Sequence, residues 1–141
     1  MSEMAVRAAA LLVADDKVLL VNHEKAGRSY WVLPGGHVRA GETLADALVR
    51  ELTEELQLDV TVGPLVFVHE FIAEGRHVLN HVFRVEASPT EFHVTPGKVL
   101  KRARWVPLDE LDDVDLLPPI APELREIISG RPRGDVYLGK L

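Results

Sequence analysis

The segment GHVRAGETLADALVRELTEELQL, residues 36–58, sets a glycine at 36, a glutamate at 42 and the cluster Arg50, Glu51, Glu54 and Glu55 farther on. On a helix of about 3.6 residues per turn, Glu51, Glu54 and Glu55 stand at i, i+3 and i+4 and share one face. Three like charges repel there unless a cation sits among them, and hard oxygen ligands clustered this way suit magnesium or manganese rather than a soft metal. The plain alternative is a solvent-exposed helix face with Arg50 and Glu54 as a surface pair. The preceding residues weigh against it. Trp31-Val32-Leu33-Pro34-Gly35-Gly36 is a short apolar strand running into a breaker cluster, where glycine allows close approaches that a side chain would block. A loop then reaches Thr43, a good N-cap, with Asp46 three residues on as a shorter capping box. The helix is predicted from Leu44 to about Leu56. Its apolar stripe Leu44, Ala45, Leu48, Leu52 and Leu56 must pack on a sheet, and the three glutamates flank one edge of that stripe. They therefore belong at the boundary of the core, where a cleft can hold a metal.

This segment resembles the Nudix signature, G-x5-E-x7-R-E-U-x-E-E-x-G-U with U an aliphatic residue. Gly36, Glu42, Arg50, Glu51, Leu52, Glu54, Glu55 and Leu58 match in register, and 23 residues are covered directly. Tyr30 to Gly35 and Trp105-Val106-Pro107-Leu108-Asp109-Glu110-Leu111 also resemble the family. With several charged positions and two spacings set, the pattern is much more specific than a lone glycine motif. The resemblance implies an α/β fold, an α/β/α sandwich with a mixed β-sheet. It implies water attack on a phosphorus of a nucleoside diphosphate linked to another moiety, with Mg2+ or Mn2+ neutralising phosphate oxygens. Carried onto this chain, it makes Glu51, Glu54 and Glu55 the metal ligands, with the Gly36 carbonyl a further oxygen. Arg50 orients the carboxylates, and Glu42 either braces the loop against Arg50 or sits behind the metal ligands. Arg28, Tyr30 and Gly35, beside the glycine loop, are the substrate-binding candidates. Tyr30 has two readings, base stacking or core, because period-2 alternation sends one of Tyr30 and Trp31 to the cleft and the other inward.

Two positions depart from the pattern. Gln57 stands where the signature has glycine, so either it accepts a left-handed backbone or the helix ends by another geometry. The stretch before Trp105, from Lys98 to Arg104, holds no acid, although relatives often place the general base there. The base is then a helix carboxylate such as Glu51, or Glu70, Glu74, Glu86 or Glu91 from another strand or loop. The basic stretch itself reads as a phosphate grip or as a solvated edge strand. His77 and His81 point the same way in a strand, with His69 near them across a hairpin, which suits substrate hydrogen bonding or a satisfied sheet face better than tetrahedral zinc.

At 141 residues the chain fits a single domain, 1–141, large enough for a core without staples. It has no cysteine, which removes disulfides and thiolate metal sites. It has no apolar run long enough for a membrane span and no signal-peptide start, so the expected location is cytoplasmic. A net charge of −6, from 22 acidic and 16 basic residues, disfavours long nucleic acid while leaving small nucleotides open. The resemblance implies a small nucleotide diphosphate as the partner and adds a homodimer.

Strands are expected over Ala5–Ala14 and Val18–Val21 around an Asp15-Asp16 turn, over Tyr30–Leu33, Val60–Val62, Leu65–Ile72 and Val78–Ala87, and at about Arg102–Val106. Asn22–Ser29 and Ser88–Lys98 read as loops. Pro118-Pro119 opens a helix from about Ile120 to Ser129, closed by Gly130 and stopped by Pro132. The tail is an edge strand at Val136-Tyr137-Leu138 or a loose end. The first functional expectation is a metal-dependent pyrophosphohydrolase of a nucleotide, nucleotide sugar, ADP-ribose or dinucleoside polyphosphate. The runner-up is a non-catalytic Nudix-like domain that binds a nucleotide metabolite.

Overall fold

A computed structural model describes residues 4–97, 99–130 and 135–141. Its strands are β1 (Met4–Ala14), β2 (Lys17–Lys25), β3 (Arg28–Val32), β4 (Gly35–His37), β5 (Val60–Ala73), β6 (Arg76–Ala87), β7 (Leu100–Pro107) and β8 (Tyr137–Lys140). The helices are α1 (Leu44–Leu56) and α2 (Ala121–Ile128), with a 3-10 turn at Leu108–Asp113. The sheet runs β3-β2-β1-β6-β5-β8, with β4 added to β1 and β7 to β2. It is mixed, because β1 and β6 pair in parallel, as do β5 and β8, while the other pairs are antiparallel.

Asp15 and Asp16 make the β1–β2 turn with φ of 50° and 59°, a left-handed pair that aspartate tolerates better than most residues. Only Val13 with Val18 and Ala14 with Lys17 pair across this hairpin. Beyond them the strands part. β1 takes β4 and β6 as neighbours, whereas β2 takes β3 and β7. The split leaves a cleft between the two halves of the sheet.

The alanine-rich run of β1 is a strand because both its faces are covered. Ala8, Ala10 and Leu12 pack with Leu48, Leu52 and Leu56 of α1. Ala9 and Leu11 pack on the opposite side with Ile120, Ala121 and Leu124 around α2. The expected α/β/α sandwich is therefore the observed architecture, with β1 at its centre.

Several expectations need correction. Asn22–Ser29 is not a loop: β2 continues to Lys25, turns through Ala26 and Gly27 at φ of 52° and 77°, and returns as β3. Its polar residues satisfy one another across the strands, since the Asn22 amide donates to Ser29 Oγ at 2.9 Å and to the Tyr30 carbonyl at 3.2 Å. The glycine loop contains a strand of its own, β4, laid against β1. The two strands expected over 60–72 are one, with register shifts between Val62 and Phe67 where Gly63 and Pro64 sit. The last helix, Ala121–Ile128 with Ile120 and Ser129 as its caps, keeps the expected bounds, with Pro122 in its first turn. Its expected stop, Pro132, lies outside the described residues, as does Lys98. The tail resolves as the edge strand β8, parallel to β5.

Helix α1 has the expected bounds. Thr43 Oγ1 accepts from the Asp46 N–H at 3.0 Å, and Gln57 adopts φ 54°, ψ 34°, with its N–H directed to the Leu52 and Thr53 carbonyls. Of the two endings open to Gln57, the left-handed one is taken. The loop after β6 then serves the helix terminus. The His93 N–H donates to the Leu56 carbonyl at 2.9 Å and the Thr95 N–H to the Glu55 carbonyl at 2.8 Å. These bonds supply donors to carbonyls the helix leaves open and pin the end that carries the glutamates.

Candidate functional site

Gly36 and Glu51 are in direct contact across β4 and α1. A Cβ on Gly36 would lie 2.3 Å from the Glu51 Cδ and 2.5 Å from its Oε1. Only glycine leaves that carboxylate room. Glu51 is also held by Arg50, whose Nη1 donates to Glu51 Oε1 at 2.9 Å. The same guanidinium grips Glu42 with Nε to Oε2 at 2.7 Å and Nη2 to Oε1 at 2.9 Å, and reaches the His37 carbonyl at 3.3 Å. Glu42 in turn accepts from the Arg39 N–H at 2.9 Å. The two-pronged bond to Arg50 holds the Glu42 carboxyl down at about 2. Arg50 therefore ties the loop after β4 to the glutamate face of α1.

Glu55 lies one turn on. Burial, together with the adjacent Glu51 carboxylate, pushes its carboxyl up to about 8, and Glu55 Oε2 is enclosed without a hydrogen-bond partner. Two carboxyls packed together with one oxygen orphaned are a donor set that a proton or a hard cation must satisfy, so these residues fit a divalent metal. Glu54 stands apart, half-exposed, with its carboxylate 3.5 Å from Arg50 Nη1. Among the described residues no three histidine or acidic side chains are already drawn into a closed metal centre.

The acids open onto a cleft of about 430 Å³ between the parted strands, a size that suits a small-molecule ligand. Its lining includes Gly35, Gly36, Glu51 and Glu55, Tyr30 and His23, and also Arg7, His69, Asn80 and Arg76. Tyr30 turns into the cleft and Trp31 packs against the α2-side core, so the alternation between the two runs as the pattern allows. Arg28 is not part of the lining. It sits 5.4 Å from the centre of the Tyr30 ring and pairs at 3.7 Å with Asp115. Gly35 is the closest approach in the wall, since a Cβ there would meet the Ala8 carbonyl oxygen at 2.1 Å.

Of the acids weighed as a general base, Glu51 lines the cleft, while Glu70, Glu74, Glu86 and Glu91 do not. Glu70 is occupied by His77 at 2.7 Å and by the Tyr137 hydroxyl. The basic stretch before Trp105 runs along β7 with exposed pairs, Arg102 to Glu24 at 3.8 Å and Arg104 to Glu110 at 4.0 Å, the pattern of a solvated edge. The three histidines of the β5–β6 hairpin separate. His77 bonds Glu70, His81 meets the Arg7 carbonyl, and His69 is buried beside Asn80.

Arg7, Asn80 and His69 were not singled out together by the sequence. Burial holds His69 near a pKa of 4, with the Arg7 charge adding to the effect, so the imidazole is neutral at pH 7. A neutral ring accepts at Nε2 from Asn80 Nδ2, 3.0 Å away, which turns Asn80 Oδ1 toward Arg7. The one available signal was Arg7 itself, a lone cation inside the otherwise apolar run Ala5–Ala14.

A family model described as the NUDIX domain matches residues 4–129. The phosphatase NudJ of Escherichia coli strain K12 is 30% identical over 132 residues, covering 89% of this chain and 84% of that protein. Among solved structures, the E. coli ORF135 protein superposes with a TM-score of 0.72 at 29% identity, over 93% of this chain and 95% of the other. A MutT NUDIX hydrolase from Burkholderia pseudomallei superposes with a TM-score of 0.69 at 30% identity, over 76% and 85%.

Proposed function

This chain belongs to the NUDIX family of hydrolases, and we propose that it is a divalent-metal-dependent pyrophosphohydrolase of a nucleoside diphosphate linked to another moiety. One observation carries the reading: the Glu51 carboxyl lies against a side-chain-free Gly36 with the Glu55 carboxyl beside it, in the lining of a cleft of ligand size. Mg2+ or Mn2+ bound there neutralises phosphate oxygens and lowers the pKa of attacking water. Glu51 and Glu55, with Glu54 rotated inward and the Gly36 carbonyl, are the groups that would hold it. Arg50 holds the Glu51 carboxylate in place and, through Glu42, keeps the loop from drifting off the helix. Among the described residues the acids in the cleft wall are Glu51 and Glu55, which supports a helix carboxylate rather than a distant acid as the proton acceptor. Tyr30 presents an aromatic face for a base or another flat group, Gly35 lets the substrate approach the backbone, and Arg28 steadies Tyr30 from behind.

The same reading takes the protein as one cytoplasmic domain acting on small nucleotides rather than long nucleic acid, and as a homodimer. Sedimentation showing a monomer removes the dimer. The central test is a turnover screen with magnesium and with manganese across ADP-ribose, nucleotide sugars, nucleoside triphosphates and dinucleoside polyphosphates. Cleavage of at least one between two phosphorus atoms, abolished by Glu55→Gln in a folded protein, is the expected result. No turnover of any, or full turnover by Glu55→Gln at saturating metal, overturns the reading.

A further inference from the structure

The acid end of the cleft has a counterpart. Arg7 sits in β1 among Ala8, Ala9 and Ala10, all fully buried, and its side chain reaches into the cleft wall. Nη2 donates to the Leu33 carbonyl at 2.7 Å and Nη1 reaches Asn80 Oδ1 at a long 3.5 Å. Both partners are neutral. Among the described residues no carboxylate lies within ion-pair distance of this guanidinium, and Glu55 and Glu51 act on it only through their field. A guanidinium presents five N–H donors in a planar fork, and among the described residues two acceptors meet it.

Arg76 also lines the cleft and repels Arg7. Lys25 is a third cation in the lining. Together they depress His23 and, with the burial that dominates, keep it uncharged. A part-buried cation with no carboxylate in ion-pair contact is costly, and the Arg76 charge beside it raises that cost. The arrangement is stable in the company of an anion that fits the fork.

We propose that Arg7, backed by Arg76 and Lys25, is an oxyanion subsite that takes phosphoryl oxygens of the bound substrate beside the Glu51–Glu55 pair. This rests on the reading of the cleft as a diphosphate site. Asn80 and His69 set the geometry. The neutral His69 ring fixes the Asn80 amide with its oxygen toward Arg7, which orients the fork without cancelling its charge. The cleft thus offers acids for a cation and, within their field, an arginine for the anion. A diphosphate held by both the cation and the arginine has the bond to be broken aligned.

The test uses inorganic pyrophosphate, with binding measured by calorimetry at saturating magnesium, and separately measures manganese affinity without pyrophosphate. Arg7→Met is expected to weaken pyrophosphate at least tenfold while leaving manganese affinity within about twofold. Arg7→Lys should recover part of the loss, because a point charge replaces only part of a fork. Should Arg7→Met fail to fold, Asn80→Asp keeps Arg7 and hands it a carboxylate. On this proposal Asn80→Asp weakens pyrophosphate at least tenfold with the melting temperature held or raised. If Arg7 served only to tie β1 to its neighbours, Asn80→Asp would bind pyrophosphate as the wild type does, and that result overturns the proposal. So does an absence of pyrophosphate binding by the wild-type protein, or equal binding by Arg7→Met. These readouts need no turnover, so a failed substrate screen and a failed anion subsite are distinguishable.

Discussion

The carboxylate of Glu51 occupies the space where a side chain on Gly36 would be, with the missing Cβ 2.3 Å from its Cδ. The neighbouring Gly35 makes an equally close approach, but to backbone: its missing Cβ would lie 2.1 Å from the Ala8 carbonyl oxygen, at a φ of +154°.

The two glycines therefore predict opposite phenotypes. Gly36→Ala pushes away the end of a flexible side chain, so the fold should survive with a melting temperature lowered by about 2–4 °C. Activity should fall about 100-fold, because the carboxylate is displaced. Gly35→Ala collides with the central strand at a backbone angle hostile to a side chain, and should cost about 3 kcal/mol or more. Thermal melts and rates of both variants check this, and a stable Gly35→Ala would contradict the packing.

Glu42 and Arg50 predict an acid limb. The Glu42 carboxyl is held at about 2 in the folded protein against 4.5 ordinarily, by its hydrogen bonds to Arg50 and to the Arg39 amide. A depressed carboxyl stabilises above its unfolded pKa and loses that contribution as pH falls toward the folded one. Denaturant titrations should show wild type exceeding Glu42→Gln by a constant margin above about pH 4.5, shrinking to nothing near pH 2. Parallel pH profiles for the two proteins would discount the ion pair.

His69 and His23 predict a second dependence with the opposite chemistry. Burial lowers both to about 4, from 6.5, so the unfolded chain binds protons that the folded one refuses. Stability should decline as pH drops from about 6.5 to about 4 and then level. His69→Gln leaves an acceptor for Asn80 and does not titrate, so it should remove roughly half of this slope. Ring proton shifts of His69 that titrate near 6.5 would refute the assignment.

Gln57 predicts a stabilising substitution. It occupies the left-handed region at φ 54°, ψ 34°, where a side chain costs about 1 kcal/mol. Gln57→Gly should raise the melting temperature by about 2–4 °C, partly offset by the greater freedom of glycine in the unfolded chain. A clear fall in differential scanning calorimetry would show that the cap carries no strain.

Much of the molecule was legible in residue order because it depends on local periodicity. The bounds of α1, the Thr43 cap, the Asp15-Asp16 turn and the β5–β6 hairpin all follow from neighbours a few positions apart. Asn22–Ser29 misled because polarity reads as solvent exposure, whereas Asn22 spends its polarity across the strand pair on Ser29 and Tyr30. The strand β4 was illegible since it exists only against β1, 26 or more residues away in the chain.

The glutamate spacing and the glycine before it, on their own, determined the family and the helix face that carries the acids, because spacing on a helix is a one-dimensional property. Tertiary structure decided which acids reach the cleft, that Glu54 stands outside while Glu55 is enclosed, and that Arg7 faces them with Asn80 and His69 at its side. The physical reason is the early parting of β1 and β2 after two residue pairs. That separation brings residues 7, 30, 51, 69 and 80 to one cavity, a juxtaposition that pairing between distant strands creates.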